Sequence, residues 1–235
     1  MAIKLDTEEN MDRSTIPDRT LDYHAHILPG CDHGSDNLQT SLRQIALAKE
    51  AGIQTICATS HFYPHQETVA SFLRRREACW SQLREHLVPE DPEVVLGAEV
   101  LICDGMERMQ DLAALCRQGT DELLLELPFY AWQRSVWETI YALHEDTPLR
   151  VIVAHGDRYP PKDIERLIQD GVFVQLNVDC LRHSLSRRRY LDWIASGAVR
   201  YLGSDIHGTE VGYRDWIACW KILDRTFRSE RKECE

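Results

Sequence analysis

The 235-residue chain lacks a surplus of positive charge: 27 Lys and Arg stand against 38 Asp and Glu, a formal charge of −11. General binders of nucleic acid or of anionic membranes need that surplus, so both classes are excluded. An apolar run of 18 residues is also missing, and with it any expectation of membrane insertion. No Cys-x-x-Cys pair occurs among Cys31, Cys57, Cys79, Cys103, Cys116, Cys180, Cys219 and Cys234. Thiols scattered this way read as reduced and cytoplasmic rather than as a disulfide framework. The opening stretch, Met1 to Thr20, is polar and mixed in charge, without the basic-then-apolar layout of a secretion signal. No low-complexity linker divides the chain. One domain over residues 21–235 is therefore expected, preceded by an arm at 1–20.

What the chain does have is an ordinary apolar share, 43 %, enough for a sizeable core and too much for intrinsic disorder. Short β-rich runs fall at 21–27, 55–59, 94–100, 122–129, 150–155, 173–178 and 199–205. Helical spacing fills the gaps. One helix places Leu38, Leu42, Ile45 and Ala46 on a face, with Ser35 or Asp36 as cap and Gly52 as stop. Others are expected from about Glu67 to Leu87, from Pro160–Pro161 to Gly171, and from Val211 to Arg228. Seven strand-then-helix units imply parallel strands. The α/β class follows, and seven units suit a closed or nearly closed TIM-like barrel better than an open sheet.

The imidazoles and carboxylates are distributed unevenly over these units. His24 and His26 close the first run as H-x-H, and a strand's period of two puts both on one face. Asp32 and His33 follow in a Pro-Gly loop. His61 lies just past the second run, and Glu99 and Glu126 fall near the ends of the third and fourth. His155 ends the fifth, and Asp205 and His207 form D-x-H after the seventh. Carboxyl-side strand ends converge in one mouth, where such folds place their chemistry. Carboxylates gathered so closely would repel and take up protons unless cations held them. Nitrogen and oxygen donors without thiolate suit Mn, Fe or Zn, and nine groups exceed what one ion needs. Two or three divalent ions are implied, the usual device for hydrolysing phosphate esters.

The segments DYHAHILPGCDHG, ATSH, GAEV, LLLELPF, VIVAHGDRY and GSDIHG resemble successive signatures of the polymerase and histidinol phosphatase (PHP) superfamily. The nearest likeness is to its bacterial manganese-dependent protein-tyrosine phosphatase branch, tied to capsule and exopolysaccharide synthesis. The resemblance runs from about 21 to 210 and implies a distorted seven-stranded β/α barrel with up to three ions, often manganese. It assigns His24, His26, Glu99 and Asp205 to one ion. Glu99 bridges to a second, held also by Glu126 and His155, and His33, His61 and His207 hold a third. Arg158 matches the family's phosphate-binding arginine, with a planar fork suited to phosphate oxygens. Three departures stand out. His33 occupies a position where the branch usually has Asp, A-H-P-E-R-Y reads A-H-G-D-R-Y, and the second phosphate arginine is matched only loosely by Arg214.

The implied reaction is in-line attack on phosphotyrosine by a hydroxide shared between ions, with Arg158 and Asp205 as the catalytic pair. His65 is placed at the rim near the substrate, with Arg158 and Arg214. The expected partner is a phosphotyrosine-bearing protein, such as the tail of a bacterial tyrosine kinase, or a small phosphomonoester. Two alternatives stand beside this reading: a small-metabolite phosphatase of histidinol-phosphate or nucleotide type, and a non-catalytic metal-binding regulator. One C-x5-R pattern, Cys219 to Arg225, reads as mid-helix and cannot cradle an anion. The arginine runs 74–76 and 187–189 read as solvated faces, and most of the tryptophans as packing residues.

Overall fold

A computed structural model describes residues 16–208 and 211–232. Most of the expected arm, and Cys234, lie outside them. The described chain holds nine strands and six α-helices. They are β1 (Leu21–Ala25), α1 (Leu38–Glu50), β2 (Thr55–Ala58), β3 (His61–Phe62) and α2 (Val69–Arg84). Next come β4 (Glu93–Leu96), β5 (Glu99–Leu101), β6 (Glu122–Glu126), α3 (Arg134–Asp146) and β7 (Arg150–Val153). The last are α4 (Pro161–Gln169), β8 (Phe173–Asn177), α5 (Arg187–Ala195), β9 (Val199–Gly203) and α6 (Val211–Lys232).

The α/β class with parallel strands is as expected, but the strands form two sheets, β1-β2-β4 and β3-β5-β6-β7-β8-β9. The ladders do not close into one barrel. Nine strands replace seven because the expected run at 94–100 breaks in the middle and a further short strand, at 61–62, follows the run at 55–59. β2 gives way to β3 at Thr59–Ser60, and β4 gives way to β5 at Gly97–Ala98. The breaks lie side by side, so both chains leave the first sheet and enter the second at one level. Thr59 supports the turn there, its hydroxyl accepting from the Ala25 amide at 3.1 Å. The sheets also meet where β1 and β9 end. The Asp205 amide donates to the His24 carbonyl at 2.7 Å, and the His26 amide to the Ile206 carbonyl at 3.1 Å.

Helix ends follow local chemistry. The cap of α1 is Asn37, whose side chain accepts from the Thr40 amide at 3.0 Å, rather than Ser35 or Asp36. Ser35 is buried and spends its hydroxyl on Gln44 and the His26 carbonyl. Thr68 caps α2, and Pro161 opens α4 as expected. Trp193, Trp216 and Trp220 are buried in the core, and Cys219 lies buried within α6, away from any loop. All seven described cysteines are free thiols. Among the described residues, no helix is long and apolar enough to cross a membrane.

Candidate metal centre

Every expected ligand except His33, which lies in the loop between β1 and α1, stands at or just beyond the carboxyl end of a strand or at the start of a short continuation strand. His24 and His26 share the inward face at the end of β1. His61 opens β3, Glu99 opens β5, Glu126 closes β6, and His155, Asp205 and His207 follow β7 and β9 within four residues. The two strand breaks therefore serve the site, since β3 and β5 begin on His61 and Glu99, paired in register.

Glu99 is the hub. Its Oε2 lies 3.1 Å from His24 Nε2, 3.2 Å from His26 Nε2 and 3.1 Å from His61 Nδ1. Its Oε1 lies 2.8 Å from His155 Nε2. Asp205 Oδ1 stands 3.5 Å from His24 Nε2, 3.4 Å from His26 Nε2 and 3.4 Å from His207 Nδ1. Glu126 Oε2 is 3.8 Å from His61 Nδ1. Among the described residues, three trios have donor atoms within 4.8 Å of one another: His24, His26 and Asp205; His61, Glu99 and Glu126; His26, His61 and His207. His33 and His155 stand beside these trios. The His33 ring is exposed, 4.5 Å from the His61 ring and 4.9 Å from that of His207.

Without cations the cluster is electrostatically frustrated. Burial pushes the Glu126 carboxyl up to about 7, and the charge on Glu99 adds to the push. Burial opposes the charge of Glu99 as well, but His24, His155 and His26 outweigh it and hold that carboxyl well below the ordinary range. The reciprocal effect raises His24 and His26 against their own burial, chiefly through Glu99 and Asp205 for the first and Asp205 and Asp32 for the second. At His61 burial outweighs the pull of Glu99, and the charges of His26 and His33 add to it, driving the imidazole down to about 3. Both nitrogens of His61, Oε2 of Glu99 and Nδ1 of His155 are buried without a hydrogen-bond partner. Orphaned buried donors and acceptors are costly. Divalent cations would satisfy Glu99 Oε2 and one nitrogen of His61 and displace the extra protons on the charged histidines, so the residues fit a metal centre.

A second layer aims the ligands. Asp32 is not just a turn residue: its Oδ2 accepts from His26 Nδ1 at 2.9 Å and from the His61 amide at 3.0 Å, and its Oδ1 from the Gly34 amide at 2.9 Å. Gln175 and Asn177, both on the inward face of β8, continue the layer. His24 Nδ1 donates to Gln175 Oε1 at 3.1 Å, Gln175 Nε2 to Asn177 Oδ1 at 3.0 Å, and Asn177 Nδ2 to Asp205 Oδ2 at 3.1 Å. Such partners leave Nε2 of each imidazole free to face a cation. Sequence reading missed both β8 residues, although polar side chains two apart in FVQLN carry the signal of one shared face. Arg75 and Arg76 also depart from expectation. Arg75 donates to the carbonyls of Cys31 and His61, and Arg76 to that of Gly97 at 2.8 Å, so they brace the site's loops rather than only face water.

Backbone strain concentrates here. His155 and Asp205 adopt left-handed φ values of 30° and 49°. Non-glycine residues pay for that conformation, and it persists where surrounding structure enforces it. Gly203 is required by close approach, since a Cβ there would lie 2.5 Å from that of His24.

Of the expected substrate residues, Arg158 reaches the site, with Nη2 2.6 Å from Asp205 Oδ2 and its side chain 46 % exposed. His65 is exposed on the turn after β3, its ring 6.0 Å from Tyr63, which in turn lies 5.2 Å from His61. Arg214 is exposed in the first turn of α6. An open recess of about 390 Å³ adjoins the histidines, lined by His33, His61, Tyr63 and Arg75 among others.

Fold and site together define an α/β protein built around a candidate metal centre of nitrogen and oxygen donors. The chain belongs to the capsular polysaccharide synthesis CpsB/CapC family, which matches it over residues 20–233. It is similar to the tyrosine-protein phosphatase CpsB of Streptococcus agalactiae, in serotype V and serotype III strains alike. The identity is 25 % over 90 % of this chain and 92 % of that protein. A crystal structure from work on YwqE of Bacillus subtilis and CpsB of Streptococcus pneumoniae, described as unique metal-dependent tyrosine phosphatases, shares the fold. Its TM-score is 0.70 at 23 % identity, covering 88 % of this chain and 87 % of that one.

Proposed function

We propose that this protein is a metal-dependent phosphomonoester hydrolase that removes phosphate from tyrosine in proteins, in the service of capsular polysaccharide synthesis. The observation that carries the reading is the gathering of seven nitrogen and oxygen donor residues into three trios, with His155 and His33 beside them and an exposed arginine at the edge, in a member of this family. The ligand set is His24, His26, His33, His61, Glu99, Glu126, His155, Asp205 and His207. Two to three ions, manganese foremost with iron or zinc as alternatives, suit its donors. Bound divalent cations supply Lewis acidity and lower the pKa of water.

The chain's own groups do the rest. Arg158 is held by Asp205, and its partly exposed guanidinium can turn a second edge to phosphate oxygens. Asn177 donates to the same Asp205 oxygen, so that carboxylate stays oriented when Arg158 turns toward substrate. Water adds to phosphorus as the bond to the tyrosyl oxygen breaks, giving inorganic phosphate and tyrosine. The phenol has a pKa near 10, so it leaves with little acid assistance. His65 and Arg214 belong to the rim in this reading. The two sheets are parts of one distorted barrel-like domain over 21–235, and the free thiols support a cytoplasmic setting.

The test is an assay of purified, manganese-loaded protein against a phosphotyrosyl peptide, histidinol phosphate and nucleoside monophosphates. Turnover of the peptide, abolished by chelator, is expected. Turnover confined to a metabolite would replace the proposal with a small-molecule phosphatase. No turnover of any compound would leave a metal-binding regulator.

A further inference from the structure

We infer that Phe129 is the platform on which the substrate's aromatic ring stacks, selecting aryl over alkyl phosphates. The inference rests on the phosphotyrosine reading above and adds the residue that recognises the ring. Phe129 lies three residues beyond Glu126, at the carboxyl end of β6, and is 63 % exposed although fully apolar. An exposed phenyl ring on a loose loop would mean little. This one is held. Its ring lies 5.6 Å from that of Tyr159 at 26° and 5.7 Å from that of His155 at 22°.

The support beneath it is rigid. Tyr159 is buried, and its hydroxyl both accepts from the Leu127 amide at 2.9 Å and donates to the Leu127 carbonyl at 3.0 Å. Trp132 packs edge-on against Tyr159 at 5.5 Å, and its Nε1 donates to the Pro128 carbonyl at 2.9 Å. These contacts fix the chain on both sides of residues 128 and 129. The result is an ordered aromatic surface open to solvent, touching the imidazole whose Nε2 faces Glu99. A ring fixed before binding loses little entropy when another stacks on it. Arg158 immediately precedes Tyr159, so one short segment carries both the arginine for the phosphate and the support for the platform. A phosphotyrosyl group has just those two ends.

The experiment compares wild type, Phe129→Ala, Phe129→Leu and Phe129→Trp, all manganese-loaded. Calorimetry reads binding of phenylphosphonate and of inorganic phosphate, and kinetics read kcat/KM on a phosphotyrosyl peptide. For Phe129→Ala, phenylphosphonate affinity and peptide kcat/KM should fall about three- to tenfold, the size of one aromatic pair. Phosphate affinity and metal content should stay unchanged, Phe129→Leu should resemble Ala, and Phe129→Trp should restore the wild-type preference. Equal loss of both ligands, or loss of metal, would make Phe129 a packing residue for His155 and overturn the inference, as would no change at all. If wild type binds phenylphosphonate better than phosphate yet turns over no phosphotyrosyl peptide, the functional reading fails instead.

Discussion

Replacing Asp32 by Asn separates the second layer from the ligands themselves, because the side chain keeps its shape and touches no candidate ion. The carboxylate is 5 % exposed and accepts three hydrogen bonds, from His26 Nδ1, the His61 amide and the Gly34 amide. Burial works against its charge, but the bond to His26 and that residue's positive charge prevail and hold the carboxyl well below its ordinary range. An amide offers only one oxygen. If that oxygen stays toward His26 and His61, the NH2 group meets the Gly34 N–H, donor against donor. Leaving such a group unsatisfied costs about 1–3 kcal/mol of folding stability. If the amide flips, its NH2 faces His26 Nδ1, which must then become an acceptor. The imidazole proton moves to Nε2, the nitrogen that faces Glu99, and that atom can no longer bind a cation.

Either arrangement weakens the metal centre. Loss of such a partner costs about 10–100-fold in metal affinity, or about 1.4–2.8 kcal/mol. The assay is manganese titration of the metal-free protein in competition with a chelator of known affinity, with circular dichroism to confirm the fold. The maximal rate at saturating manganese should recover to within a few-fold of wild type. A folded variant whose manganese affinity stays within twofold of wild type would refute the role given to Asp32.

Asp157 gives a test by pH. Burial raises its carboxyl to about 6, against the bond it accepts from the Asn177 amide at 2.9 Å. A raised carboxyl pKa contributes stability that is present below the unfolded value near 4 and lost as pH climbs through about 6. Metal-free wild type should therefore lose about 2 kcal/mol relative to Asp157→Asn between pH 4 and 7, checked by urea unfolding of both proteins; a constant difference would contradict it. Removal of bound metal is the other test. Ligand at a hundred times its Kd stabilises by about 2.7 kcal/mol, which for a domain of this size shifts Tm by about 5–11 °C. Thermal scans with and without chelator should show that gap, and coincident transitions would mean that these donors hold no cation.

The clustering of the candidate donors could be read from sequence because all but His33 stand at or near the edge of a β-rich run, and parallel strands bring their carboxyl ends together. The shape of the scaffold could not be read as well. Alternation of β and helical segments carries no information about where a strand kinks, and the kinks at Thr59–Ser60 and Gly97–Ala98 depend on neighbours that pair only after folding. The cap of α1 went the same way: Ser35 is an acceptable cap in isolation, but its burial against Gln44 leaves the task to Asn37.

The supporting layer was only half visible, for a related reason. Asp32 stands among the motif residues, yet its bond to His26 spans a loop whose path no local pattern specifies. Gln175 and Asn177 lie in a strand whose other described residues are apolar, so the period of two exposes their shared face but not what that face meets. What it meets is His24, 151 residues earlier in the chain, and Asp205, 28 residues after Asn177. A buried amide pair in a parallel strand has no reason to be there unless charged or coordinating groups need fixing beside it. The polar face of β8 is therefore an independent mark of the centre. Gln175→Leu would leave His24 Nδ1 and the His155 amide without their shared acceptor while changing none of the candidate ligand residues. It should weaken manganese binding in the same chelator competition, and unchanged affinity would count against that role.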